Sequence, residues 1–198
     1  MRQSSDPVID FLTQKDNLPW AMEVIERSQI ICEEAISDFA QAVSANVSEF
    51  GNRHNIQIKK WKNTNGYRCF SVDAPPVEHS CVVPAFEVSS APKDCYAGYG
   101  LLWLKNGETV NLASSAKEYS LSEVTALSSS LVRQGFEACG GFWLVWKPLW
   151  SDKEVTTFAV DCWRNRNPDV MASEFSDFAI KMVNPLGKVN EALATQKS

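Results

Sequence analysis

The sequence predicts an α+β fold: a mixed or mainly antiparallel sheet of five to seven strands, with a long N-terminal helix, a middle helix and C-terminal helices packed on it. Three observations point there. Apolar residues recur at close to helical spacing through the first fifty residues. From about residue 55 to 163 they alternate in short runs broken by turn signals. Helical patterns return around residues 121–135 and beyond 168. Strands joined by tight turns favour antiparallel neighbours. The 198 residues suit a single domain. It reads as a helical part (1–50), a sheet with an inserted helix (51–165, helix 121–135) and a helical tail (166–198).

Each element has its own signal. Pro7 at a first helical position predicts a short helix over 6–13, with Asp6 as its cap. Val24, Ile25, Ile31, Ile36, Phe39, Val43, Val47 and Phe50 mark a helix from Pro19 to Phe50, stopped by Gly51 and open to a break near Ser28 or Ser44. Strands are predicted over Asn55–Trp61 and Tyr67–Asp73, joined by Asn63-Thr-Asn-Gly66. Cys81–Ser89 and Tyr96–Lys105 follow, and Asn106-Gly107 turns the chain into Glu108–Leu112. Ser120-Leu-Ser-Glu123 forms a capping box ahead of a helix from Leu121 to Gln134. Phe142–Lys147 and Val155–Trp163 read as the last strands. Helices over Pro168–Val183 and Leu186–Ala194 are separated by Asn184-Pro185.

Composition narrows the function classes. Hydrophobic content of 44% and charged content of 22% are ordinary for a globular protein. No apolar run reaches the ~20 residues of a membrane span, and Met1–Pro7 lacks a signal peptide's apolar stretch. A soluble cytoplasmic protein is expected, with no membrane partner. The 6 cysteines contain no C-x-x-C pair and are expected as thiols. Cys32 is placed in a helix, Cys69 and Cys162 in strands. There is no Walker loop, G-x-G-x-x-G, G-x-S-x-G or H-E-x-x-H. With 2 histidines, a His triad or multi-histidine metal centre lacks material.

Net charge is −5, unevenly spread. Residues 51–72 hold no acid and five bases, which leaves −10 on the rest. In this hairpin Lys59, Lys60 and Lys62 with Arg68 interleave with Trp61, Tyr67 and Phe70. That pattern suits an edge hairpin guarded by lysine. It also suits a cationic, aromatic patch for an acidic protein or, as a further alternative, nucleic acid.

The 7 tryptophans are the other strong signal. Alternation puts Phe142, Leu144 and Trp146 on one face of their strand and Trp143, Val145 and Lys147 on the other. Trp103, Trp143, Trp146 and Trp20 are expected in the core. Trp61, Trp150 and Trp163, at element ends, are expected at the surface, the last beside Arg164 and Arg166.

Asp73 ends one strand and Glu87 sits inside another, in Glu87-Val-Ser89. Over residues 20–147 this resembles restriction-type nucleases, whose motif is Asp followed by Glu-x-Lys. The resemblance implies Asp73 and Glu87 as catalytic, Mg²⁺-holding carboxylates. Ser89 stands where that family has the lysine that helps to activate water. Glu78, His79 and Cys81 form a sparser set of metal-type side chains.

The leading expectation is a binding or accessory protein without a cofactor, of the kind found among phage-encoded and bacterial regulatory proteins. It would dock on another protein through Lys59, Lys60, Trp61, Lys62, Arg68, Trp150, Trp163, Arg164 and Arg166. A homo-oligomer is a further expectation, because the long helix and the doubly apolar strand invite a second copy.

Overall fold

A computed structural model describes residues 7–54, 57–60, 67–73, 80–91 and 94–196. The short helix α1 (Pro7–Leu12) leads into α2 (Leu18–His54), one unbroken helix of 37 residues. Gly51 lies inside it rather than at its end, and neither Ser28 nor Ser44 interrupts it. Next come β1 (Ile58–Lys60), β2 (Tyr67–Val72), β3 (Ser80–Ala91), β4 (Asp94–Lys105) and β5 (Glu108–Thr109). Asn106 and Gly107 both take positive φ, 54° and 74°, as a tight Asn-Gly turn requires. The predicted strand to Leu112 stops at Thr109, and a 3-10 turn (Leu112–Ser115) follows. After it come α3 (Ala116–Tyr119), α4 (Ser122–Val132), β6 (Glu137–Ala138), β7 (Trp143–Asp152), α5 (Val155–Arg164) and α6 (Pro168–Thr195).

The sheet runs β1-β2-β3-β4-β7-β6, with β5 added to β4, and every pairing is antiparallel. Alternation along β3 and β4 divides its faces. Val82, Phe86, Val88, Tyr99, Leu101 and Trp103 join the main core with residues of α2, α4, α5 and α6. Cys81, Val83, Ala85, Leu102 and Leu104 form a second cluster, joined by Cys69 and Trp143, to which no helix contributes among the described residues. The helices therefore gather on one face. Gly98 and Gly100 allow β7 to close on β4: a Cβ on Gly100 would lie 2.0 Å from the Val145 carbonyl oxygen, and one on Gly98 would lie 2.3 Å from the Trp146 ring.

Several expectations change. Residues 155–163 are helical, not a strand, and Cys162 belongs to α5. Val, Thr, Phe and Trp favour strands locally, but Phe158, Ala159 and Cys162 bury together at helical spacing. Pro185 lies within α6 without ending it. An interior proline costs ~3 kcal/mol; here the buried stripe Phe175, Phe178, Met182, Leu186, Val189 and Leu193 runs through it and outweighs that cost. The capping box does not form. α4 starts at Ser122 with no side-chain cap, and Ser120 bonds back to the Lys117 carbonyl. α6 does have a side-chain cap: Asn167 accepts from the Asp169 amide at 2.8 Å, with Pro168 in the first turn.

A register shift in β7 between its partners Leu101 and Leu102 also breaks the predicted alternation. Leu144 and Val145 are both fully buried, while Trp143 and Trp146 meet each other with centroids 4.5 Å apart. The edge of β3 beyond β2 is closed by a side chain. Asn190 of α6 accepts from Val82 N–H at 2.8 Å and donates to Val82 C=O at 3.2 Å, as a neighbouring strand would. Among the described residues, no helix is long and apolar enough to cross a membrane.

Candidate functional site

At 37 residues α2 is about 55 Å long, whereas the 12-residue strands β3 and β4 span roughly 40 Å. The helix overshoots its own sheet. From Ile36 to Val47 it buries Ile36, Phe39, Val43 and Val47 against the core. Between Pro7 and Ile31 the only buried residue is Ala21. The first four turns of α2, with α1 ahead of them, stand out from the body as an arm. Asn17 holds the junction, donating from Nδ2 to the Phe11 carbonyl at 2.9 Å.

The arm is apolar. Among the described residues, eleven of the eighteen exposed large hydrophobic side chains lie between Val8 and Ile31. Trp20 is 71% exposed and Ile25 63%. Trp20 is expected in the core; in the structure it is exposed, on a stretch of α2 where only Ala21 is buried. Glu23 and Arg27 pair across one turn at 3.1 Å, and Glu26 and Glu34 are also exposed, so the apolar surface has a charged rim. Trp163 stands where arm meets body. Its ring is half exposed, its indole N–H donates to the Ala35 carbonyl at 2.9 Å, and its edge meets Phe39. Val160 and Arg164 are exposed beside it on α5.

The other predicted interface residues separate. Trp150 is a correction: it is 8% exposed, stacked on Phe158 and edge-on to Phe39, because Pro148 lies within β7 and the strand carries Trp150 into the core. Arg166 lies over the Trp150 ring at 5.1 Å and pairs with Asp161 at 3.0 Å, so it serves the fold. Those contacts with Arg166, after the stronger hydrogen bond from Asn165, lower the Asp161 pKa. Arg68 bridges elements, donating to Ser90 Oγ at 3.0 Å and to the Glu33 carbonyl at 3.3 Å. Burial lowers its pKa, with Glu33 opposing.

Lys60 and Arg68 line a cleft of about 320 Å³ between α2 and the β1–β2 hairpin, with Gln41, Ser44 and Phe70. Lys59 points to the opposite face and donates to the Gly107 carbonyl at 3.1 Å. The hairpin's described cations therefore do not form one track. Trp61 and Lys62, like Glu78 and His79, lie outside the described residues.

Asp73 and Glu87 are not brought together. Glu87 faces Cys69 across the ladder, and Asp73 lies four residues further along the chain from Cys69, about 13 Å at strand rise. Glu87 accepts from the Tyr96 hydroxyl, and burial raises its pKa, with that hydrogen bond opposing. Asp73 is exposed. These two carboxylates do not fit a shared Mg²⁺, and the wholly antiparallel sheet gives them no common strand end. Cys81 is buried, and its thiol pKa is pushed up to about 11 by burial. Among the described residues no three His, Cys, Asp or Glu side chains gather as a metal site.

In comparisons with protein-family models, curated proteins and solved structures, none matches this chain. The arm is the feature that sequence reasoning missed. Its signal was present: Leu18, Met22, Ile25, Gln29, Cys32, Ile36, Phe39 and Val43 alternate spacings of four and three. That seam runs evenly through α2, while the body is too short to cover all of it.

Proposed function

We propose that this protein is a binding or accessory protein that docks on another protein through the arm formed by α1 and the first turns of α2. The observation that carries the reading is the concentration of eleven exposed large apolar side chains between Val8 and Ile31. Contiguous apolar surface with a polar rim marks a macromolecular contact site. Trp20 and Trp163 are the anchors of that surface, since buried aromatics and their neighbours carry much of the energy at interfaces. Arg164 borders it. The reading replaces the basic hairpin as the main contact and keeps Lys60 and its cleft at the margin. All six cysteines are free thiols, which suits a reducing compartment such as the cytoplasm.

The test is affinity capture from native lysate with three baits: the unaltered chain, a Trp20→Asp/Ile25→Asp double variant and Lys60→Ala. A specific partner is expected with the first and third and lost with the second, whose circular dichroism stays that of the folded body. Capture indifferent to the arm variant overturns the reading.

A further inference from the structure

We propose that the cleft between α2 and the β1–β2 hairpin binds a small phosphate monoester. It lies on the second half of α2, away from the arm, and is independent of the docking reading. The cleft holds about 320 Å³. It is lined by Ala40, Gln41 and Ser44 from the helix and by Lys60, Arg68 and Phe70 from the strands. That volume is at the low end of the ~300–1,000 Å³ of small-molecule sites.

The pleat of the hairpin brings both cations to this side. Lys60 lies opposite Phe70 in the β1–β2 register, and Phe70 belongs to the helix-covered core. Arg68 is two residues before Phe70 and so shares its face. Lys60 and Arg68 are therefore diagonal neighbours, with Cα atoms about 7–8 Å apart. At that spacing two long cationic side chains can close on one anion from both sides. Lys59, one residue earlier, points to the opposite face and reaches the Gly107 carbonyl.

Arg68 is held in place by the fold. Its terminal nitrogens donate to Ser90 Oγ at 3.0 Å and to the Glu33 carbonyl at 3.3 Å. Both acceptors are uncharged, so they orient the guanidinium without cancelling its charge. Burial lowers the Arg68 pKa against the pull of the Glu33 carboxylate, which accepts from the Gln29 amide at 3.0 Å. A bound anion offsets that loss of hydration. Among the described residues no carboxylate pairs with Lys60. On the helix wall Ser44, 5% exposed, has a buried hydroxyl with no hydrogen-bond partner.

Charge chooses the ligand. No acid is among the described lining residues, and two cations match a dianion. A phosphate monoester carries about −1.5 to −2 at neutral pH. Arginine meets phosphate with a planar fork and lysine meets it as a point charge. The cleft of about 300 Å³ between α4, β7 and α6 shows the contrast. It sets Lys147 and Lys181 beside Glu174 and Asp177, so its charges balance and favour neither sign.

Ligand-observed nuclear magnetic resonance on the full chain at fixed ionic strength tests this, with phenyl phosphate as probe and benzoate as a carboxylate on the same ring. Phenyl phosphate is expected to bind saturably with a Kd of about 0.1–1 mM, and benzoate about tenfold more weakly. Lys60→Gln and Gln41→Glu, one on each wall, should each weaken phenyl phosphate about tenfold while circular dichroism is kept. Lys59→Gln removes the same charge on the other face and should change affinity less than about twofold. Equal losses with Lys59→Gln and Lys60→Gln would mean diffuse attraction to the hairpin and overturn the cleft. Binding untouched by Gln41→Glu overturns the helix as its wall. Benzoate as tight as phenyl phosphate overturns the phosphate class, and absence of saturable binding by either overturns the site.

Discussion

The two halves of α2 carry one apolar seam and meet different surroundings. In the second half Phe39 is fully buried, edge-on to both Trp150 and Trp163. In the first half Ile25 occupies the equivalent seam and is mostly exposed. Burying such a side chain is worth about 1.5–3 kcal/mol, so the body's stability draws on one half and leaves the other's potential unused. The contrast teaches that an amphipathic stripe states a need for a neighbour without naming it. In the second half the need is met from α5, α6 and the sheet. In the first the side chains that carry it stay exposed.

That contrast can be broken by measurement. The largest effect is expected for Phe39→Ala, which should lower unfolding free energy by about 3–5 kcal/mol in urea titrations. Ile25→Ala, measured where the chain is dilute, should stay within about 0.5 kcal/mol. Equal costs at the two positions would mean that the arm is packed after all. Asn190→Ala comes next, at about 1–3 kcal/mol, because it strands the amide and carbonyl of Val82 on the β3 edge. Its cost belongs wholly to the body and should leave any behaviour of the arm unchanged.

Thiol labelling sharpens the boundary between the halves. Cys32, partly exposed where arm becomes body, should be alkylated in the native state. Cys162, buried with its pKa pushed up to about 12 by burial and by Asp161, should react only on unfolding. Mass spectrometry of the labelled peptides reads both; native labelling of Cys162 would show that α5 detaches readily.

The smallest effect concerns the helix-free face. Because burial raises the Glu87 pKa, the folded state holds that proton more tightly than the unfolded state does. Stability from this group is therefore lost as pH rises from the ordinary glutamate range through the raised value. Glu87→Gln should raise the thermal midpoint slightly at neutral pH and flatten its slope between about pH 4 and pH 7. A steeper slope would show that Tyr96 outweighs the burial.

Much of the fold was legible because its signals are local. Asn106-Gly107 as a turn, Pro168 as a helix start and the short apolar runs of β3 and β4 each act within a few residues, and the structure uses them as read. The misreadings share a different cause. α5 was read as a strand because Val155, Thr156, Thr157 and Phe158 favour strands until a core selects the helical face. Pro185 reads as a break until the stripe on either side of it is packed. Trp150 and Trp163 look alike as rings at element ends, yet β7 carries one inward and α5 leaves the other half in solvent. Of the proposed interface residues, Trp163, Arg164 and Lys60 are exposed; Arg68, Trp150 and Arg166 are taken up by the fold.

By itself the sequence determined the α+β class, most strand and helix positions, and the even seam along α2, since each rests on periodicity and short-range turn chemistry. Only the tertiary structure decided where that seam stops being covered. The extent of cover depends on how far a sheet of twelve-residue strands and the helices on it reach along a 37-residue helix. That reach is a property of the assembled body rather than of any segment, and it leaves Trp20 and Ile25 in the open.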